Sequence, residues 1–350
     1  MKKNAIFNFT KKYAAYIVII LVVAIYAALS LSGELKQSNL FLLEKMAIAI
    51  ILAVSLGMVV GFLGELSLGH AGFMCVGAYL GGKVAVLLEP VLGNSLPTLL
   101  ISIVVGGVVA ALAGLVIGLP ALRLRGDYLA IVTLAFGEIV RSLFMNAPEK
   151  FFGGTLGLET PRFKKDYLFI IAFVFVLITI AVTQNLLHSK HGRAVTAIRD
   201  NEIAARAMGI NITKYKLTVF VISSFFAGVA GVLFSYSNYR VQSATFNYNY
   251  SIAILVMVVL GGMGSINGSI VAATLITFLN EKLQTDLYKL FPTDMADKVA
   301  ILKDILYSLI LIVIIIYRNA PALKSFREKY NFKNFVALFK KKEQQEKEDE

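Results

Sequence analysis

Glu138 and Arg141 stand three positions apart inside an otherwise apolar stretch, Tyr128 to Met145. An ionised side chain near a bilayer centre costs about 2.5–3.5 kcal/mol on insertion scales. The spacing puts an acid and a base on one helical face, so each can neutralise the other while facing a bundle interior or an aqueous path. A structural ion pair and a pathway role are both open. His70 closes a Gly-rich interruption, Gly64-Glu65-Leu66-Ser67-Leu68-Gly69, where an imidazole can pack against backbone or serve a path. A similar interruption, Gly262-Met263-Gly264-Ser265-Ile266-Asn267-Gly268, lies in the second half. Gly-broken apolar segments in two halves of a membrane chain point to discontinuous helices around a transport path. Glu65, Ser67, Gly69, His70, Glu138, Arg141, Gly262, Gly264 and Ser265 are therefore the candidate path residues.

Other chemistry is not supported. Gly77-Ala78-Tyr79-Leu80-Gly81-Gly82-Lys83 fits the opening of a phosphate-binding P-loop, but Val84 stands where a magnesium-binding hydroxyl is needed and the segment is apolar. His188 and His191 lie in a basic loop without a carboxylate or cysteine cluster, so the sequence offers no metal site, and no hydrolase arrangement is legible. The single cysteine, Cys75, permits no internal disulfide and no cysteine-based zinc site. No catalytic residue is expected, and any ATP must be bound by another chain.

The elements that carry these residues follow from composition. Of 350 residues, 57% are hydrophobic and 16% charged, against roughly 25% charged in a globular domain. That excludes an ordinary soluble protein. Apolar runs at Tyr13–Leu31, Leu40–Leu63, Ala71–Leu88, Leu96–Leu119, Tyr128–Met145, Tyr167–Leu187 and Leu217–Ser237, the shorter Ser251–Gly262 and Ser269–Leu283, and Ile301–Tyr317 predict an all-α, polytopic transmembrane bundle of about ten spans. The first run is too long for a signal-peptide core. Gly57–Gly61, Gly77–Gly81 and Gly114–Gly118 have the small-xxx-small spacing of close helix packing.

The net charge of +12 is explained by loops beside membrane spans and by contact with anionic lipid, not by nucleic acid. Lys2, Lys3, Lys11 and Lys12 at one end, and Lys324, Arg327, Lys329 and Lys333 at the other, predict both termini cytoplasmic. One loop disagrees: 146–166 should lie outside yet holds Lys150, Arg162, Lys164 and Lys165, which weakens the topology there or marks a surface for an acidic partner. The chain divides into 1–39, a cytoplasmic N-terminus and first span; 40–323, the main helical domain; and 324–350, a charged cytoplasmic tail.

The loop from His188 to Lys216 is long, basic and suited to a helix. Asp200 can cap a short helix with Glu202 near its positive end, and Gly209 can end it after Met208 in a left-handed cap. Ala204 and Ala205 leave little bulk. Such a helix could press into a partner's groove and pass a rigid-body movement to the flanking spans; the alternative is a surface helix lying among lipid headgroups.

Here the chain resembles a known family. Glu202-Ile203-Ala204-Ala205-Arg206-Ala207-Met208-Gly209 resembles the Glu-x-Ala-Ala-x-x-x-Gly element of permeases in ATP-binding-cassette importers. Together with the stretch 192–209, the run from Leu122 to Arg141 and Gly64–Gly69, it is similar to LivM-type branched-chain amino acid permeases over about residues 40–320. The resemblance implies a multi-pass permease of a bacterial inner membrane, forming half of a path for branched-chain amino acids. Its implied partners are a sister permease, two cytoplasmic ATP-hydrolysing subunits that bind the ATP and Mg, and an extracytoplasmic solute-binding protein. By the same resemblance Gly192, Arg193, Arg199, Asn201, Glu202, Ala204, Ala205 and Gly209 form the coupling surface, within 188–216. Phe152-Gly153-Gly154-Thr155-Leu156-Gly157-Leu158 resembles the family's outside-loop segment, with Leu156 where a polar residue is expected. Alternatives are a permease for urea or short amides, an ion-coupled carrier using Glu65, Glu138 and Arg141, and a scaffold that carries nothing.

Overall fold

In hydrocarbon a backbone must satisfy its own N–H and C=O groups, so apolar runs of this length fold as helices. The computed structural model describes residues 37–124, 126–161, 163 and 165–290, with single positions at 26, 302, 305, 306, 308, 309, 312, 313 and 316. In chain order the α-helices of six residues or more among the described residues are α1 (Gln37–Gly57), α2 (His70–Leu92), α3 (Leu96–Ala121), α4 (Asp127–Met145), α5 (Lys165–His188), α6 (Lys190–Asp200), α7 (Glu202–Ala207), α8 (Ile212–Asn238), α9 (Tyr248–Gly261) and α10 (Ile266–Leu290). A π-helical stretch, Met58–Leu63, continues α1.

Among the described residues six helices are long and apolar enough to cross a membrane: α1 with its π continuation, α2, α3, α4, α5 and α8. The expected runs Tyr13–Leu31 and Ile301–Tyr317 fall outside the described residues apart from single positions, as do both charged termini. Ser251–Gly262 is indeed a short helix, α9, of 14 residues. Ser269–Leu283 is not short: α10 runs for 25 residues, because Ser265 accepts from Gly268 N–H at 3.1 Å and starts the helix ahead of the apolar run.

Burial orders the bundle. The most apolar window of α1 is 94% buried, against 33% for α3 and 28% for α4, so α1 is central and the other two lie at the edge. A helix apolar on all sides must sit in such a core or in lipid. Helix α8 packs along α2 and α3, while α1 packs on α5 and α8. Close approach is set by small residues: a Cβ at Gly77 would fall on the backbone of Gly228, one at Gly81 on Val232 and the Ser102 carbonyl, and one at Gly114 on Ser224. The small-xxx-small segments are thus helix contacts. The P-loop-like run 77–83 is continuous helix within α2.

At the end of α8 opposite α7, the 146–164 connection is tied down. Strand β1 (Leu158–Glu159) pairs antiparallel with β2 (Arg240–Val241). Thr160 N–H donates to Tyr239 O at 2.9 Å and its hydroxyl to Ser235 O at 2.7 Å. Leu156 is 64% exposed. Arg162 and Lys164 lie outside the described residues.

Candidate functional site

The basic loop is three helical pieces, not one. Ser189 caps α6, its hydroxyl accepting from His191 and Gly192 N–H at 3.1 and 3.2 Å. Asp200 remains within α6, beside Arg199 at 3.0 Å, and does not cap the next helix. The cap is Asn201: its extended backbone (φ −158) breaks the helix and its side chain accepts from Ala204 N–H at 3.0 Å. Both residue types are good caps; the backbone break falls one residue later than the sequence suggests. Gly209 does end α7, with φ +80. Gly209 N–H meets Arg206 O at 3.0 Å and Ile210 N–H meets Ala205 O at 3.1 Å, the paired bonds of a Schellman motif.

Ala205 is buried against Ile198 and Ile212, which fixes the inner face of α7. Ile203, about 200° around the helix, is 77% exposed, and Met208 is 83% exposed. These two apolar side chains project from the loop with Ala204 and Arg206 also outward. Sequence reasoning passed over both; the signal was Ile203 standing opposite the small buried Ala205. Arg193 is exposed, whereas Gly192 lies against the Leu186 and Leu187 carbonyls, where it lets α6 cross the end of α5.

Charge ties this loop to the first Gly-rich interruption. Lys216, buried near the start of α8, donates to Glu65 and, at 3.2 Å, to Glu202 Oε2. Arg206 reaches the other Glu202 oxygen at 3.2 Å. Arg199 Nη1 donates to Gly61 O at 3.3 Å. Lys216 was not among the sequence candidates, because a lysine at the edge of a basic loop reads as solvated; nor was Glu44, a buried α1 carboxylate that accepts from Ser237 at 2.5 Å.

From Glu65 the chain runs non-helically to α2, and its donors are met from other helices. Leu68 N–H donates to Thr133 Oγ1 of α4 at 3.0 Å and Ala71 N–H to Ser251 Oγ of α9 at 3.1 Å. Gly69 lies against Thr133, and Ser67 is buried. His70 is buried with Nε2 2.8 Å from Ser55 Oγ. The same hydroxyl lies 3.1 Å from Leu52 O, so the serine links the imidazole to the α1 backbone. His70 thus packs on a serine side chain of α1. Ser55 precedes the end of the π stretch by eight residues, roughly 12 Å of helix, so Gly64–Gly69 turns back alongside α1.

The other candidates fall in two places. Gly262 and Gly264 have φ +96 and +85 and form the α9–α10 turn with Ser265, the cap of α10; Gly264 lies against Gly61. An open cleft of about 500 Å³ adjoins this turn, lined by Phe62, Gln184, His188, Thr196, Ser265 and Asn267. Arg141 Nε donates to Glu138 Oε2 at 2.7 Å, the expected pair, and Glu138 Oε1 accepts from Tyr248 N–H at 3.0 Å. The pair is about a third exposed and holds the first turn of α9. Glu65 and Glu138 are both engaged by cations of this chain.

The model of the family described as "branched-chain amino acid transport system / permease component" matches residues 38–315. The chain is 38% identical over 268 residues to the high-affinity branched-chain amino acid transport system permease protein LivM of Salmonella typhimurium, covering 68% of this chain and 61% of that protein. It is 36% identical over 312 residues to the Escherichia coli protein of that name, covering 80% of this chain and 71% of that one. A more distant relative is the ribose import permease protein RbsC of Escherichia coli, 28% identical over 294 residues, 76% of this chain and 84% of that protein. No solved structure matches the chain.

Proposed function

We propose, given that the chain belongs to the branched-chain amino acid transport system permease-component family, that it is a transmembrane subunit of an ATP-driven importer. In this reading it forms half of a path for leucine, isoleucine, valine or similar small solutes and performs no covalent chemistry. Two cytoplasmic subunits would bind ATP and Mg and dock on α6 and α7, a sister permease would complete the path, and an extracytoplasmic protein would deliver the solute. The loop carrying α7 would face the cytoplasm.

The observation that supports this most directly is the build of α7. Ala205, and Glu202 on Lys216, anchor it, while Ile203 on the side away from Ala205 and Met208 at the C-terminal cap are left exposed. A six-residue helix held in place from within the chain with two large apolar side chains exposed beside its charged groups suits an element that a partner covers. Helix α4 supports the sister permease: its exposed side mixes Ile131 and Ile139 with the Glu138–Arg141 pair, which suits a protein or water-lined face better than lipid. The outer side of α3, with Val104, Val108, Leu112 and Val116, is purely apolar and suits lipid.

The test is purification of the tagged chain from its membrane in mild detergent. Ile203→Asp and Met208→Asp are the informative variants; Glu202→Lys is a poor one, since it would put a second ammonium beside Lys216. Exposed positions change stability by about 0.5 kcal/mol or less, while loss of an interface anchor worth about 2 kcal/mol weakens binding some thirtyfold. An ATPase recovered with the wild type and lost from both variants is the expected result; recovery unchanged in the variants would reject α7 as the docking element.

A further inference from the structure

We propose that Lys216 is a positioning residue for transport: it holds Glu65 throughout the cycle and Glu202 in only one of two arrangements, and so passes movement of α7 to the Gly64–Gly69 segment. The inference rests on the importer reading above. Lys216 has 5% of its side chain exposed, Glu65 13% and Glu202 26%. A buried ammonium is costly unless paired, and it carries three donors and no acceptor. Here two donors reach carboxylates far apart in sequence, one 151 and one 14 positions away.

The pairing is unequal in a way that permits a switch. Glu202 has a second cation, Arg206, at 3.2 Å, so it can release Lys216 without being left bare. Lys216 has a second carboxylate in Glu65, the more buried of the two acids. The contact between α7 and α8 can therefore open while the one between α8 and the Gly-rich segment stays closed, giving two discrete states. What Glu65 holds is loaded: within six residues the segment meets α4 through Thr133, and the start of α2 that continues it meets α1 through Ser55 and α9 through Ser251. With Glu202 engaged, α7, α8 and this segment move as one body. With Glu202 released, the loop moves alone.

Removing the ammonium by itself would strand two carboxylates, so the informative variant is Glu65→Leu with Lys216→Met, an exchange of an ion pair for apolar groups that is often neutral for stability. Wild type, the double variant and Lys216→Arg would be purified with their ATPase and reconstituted in liposomes, and leucine uptake per ATP hydrolysed measured. In the double variant Ala205 on Ile198 and Ile212 and the Arg206–Glu202 pair still hold α7, so it is expected to retain the ATPase within about twofold and to lose at least tenfold in uptake per ATP, while Lys216→Arg, which keeps the charge, stays within about threefold of wild type. If the double variant does not reach the membrane, Lys216→Gln, which can serve only one carboxylate well, is read in the same way. A wild-type ratio in the double variant overturns the proposal. So does loss of the ATPase from it, which would make Lys216 part of docking. An ATPase absent even from the wild type would instead reject the importer reading, and the coupling role with it.

Discussion

Gly64–Gly69 and Gly262–Ser265 interrupt helices with the same kinds of residue, yet they are held differently. The first closes Gly64 and Glu65 N–H on Val59 O and is then secured, together with the opening residues of α2, by side chains from distant elements: Thr133 on Leu68, Ser55 on His70, Ser251 on Ala71 and Lys216 on Glu65, with the Arg199 bond to Gly61 just before it. The second closes hydrogen bonds within its own turn. Gly262 N–H meets Val259 O at 3.1 Å, Ser265 N–H meets Gly262 O at 2.9 Å, and Ser265 then caps α10. A segment whose donors are satisfied from other helices must respond when those helices move; one that closes its own bonds is a local turn. Similar composition therefore marks two differently held parts, and among the described residues the first is joined to the α6–α7 loop through Lys216 and Arg199, while the second faces that loop across an open cleft.

Stability measurements by thermal unfolding in detergent can break this comparison. The largest effect is expected at the buried ion pair: Lys216→Ala should cost about 3 kcal/mol, while Asn267→Ala, exposed in the second interruption, should stay within about 0.5 kcal/mol. Equal losses would mean that the first interruption is no more firmly tied than the second. Next, Thr133→Val leaves Leu68 N–H without its acceptor and should cost about 1–3 kcal/mol. Its counterpart Ser265→Ala removes one cap, about 1 kcal/mol. The finest contrast is Gly64→Ala against Gly264→Ala. Both have positive φ, so both incur roughly 1–2 kcal/mol of backbone strain. At Gly64 the new methyl also meets Arg199 Cγ at 2.8 Å, whereas at Gly264 it meets only Gly61 O at 3.5 Å. Gly64→Ala should be the worse by a few tenths of a kcal/mol, because the arginine stem can shift; the reverse order would place the tighter packing at the second interruption.

Much of this architecture was legible from spacing. Apolar runs marked the helices, small residues four apart marked their contacts, and the three-residue interval paired Glu138 with Arg141. Gly209 as the end of α7 was legible because left-handed backbone selects glycine. The Asn201 cap was missed by one position, since Asp200 and Asn201 are chemically equal to the task and the break depends on backbone geometry. Lys216 with Glu65 was not legible at all, because a pair 151 residues apart has no periodicity. The likeness of the two interruptions was visible, but not that the first and the start of α2 are tied to α4, α1 and α9 while the second closes bonds within its own turn.

What the sequence by itself determined was local or summed over many residues: a membrane protein, its helices, the capped loop and the family whose motifs it carries. Hydrophobic transfer and backbone hydrogen bonding act on every residue of a run, so their consequences survive without knowledge of any partner. The tertiary structure alone decided which face of α7 is anchored and which is offered, where the buried lysine finds its carboxylates, and which interruption is coupled to the loop. Those outcomes depend on single contacts between distant positions, and each exists only once packing has brought its two sides within hydrogen-bond reach.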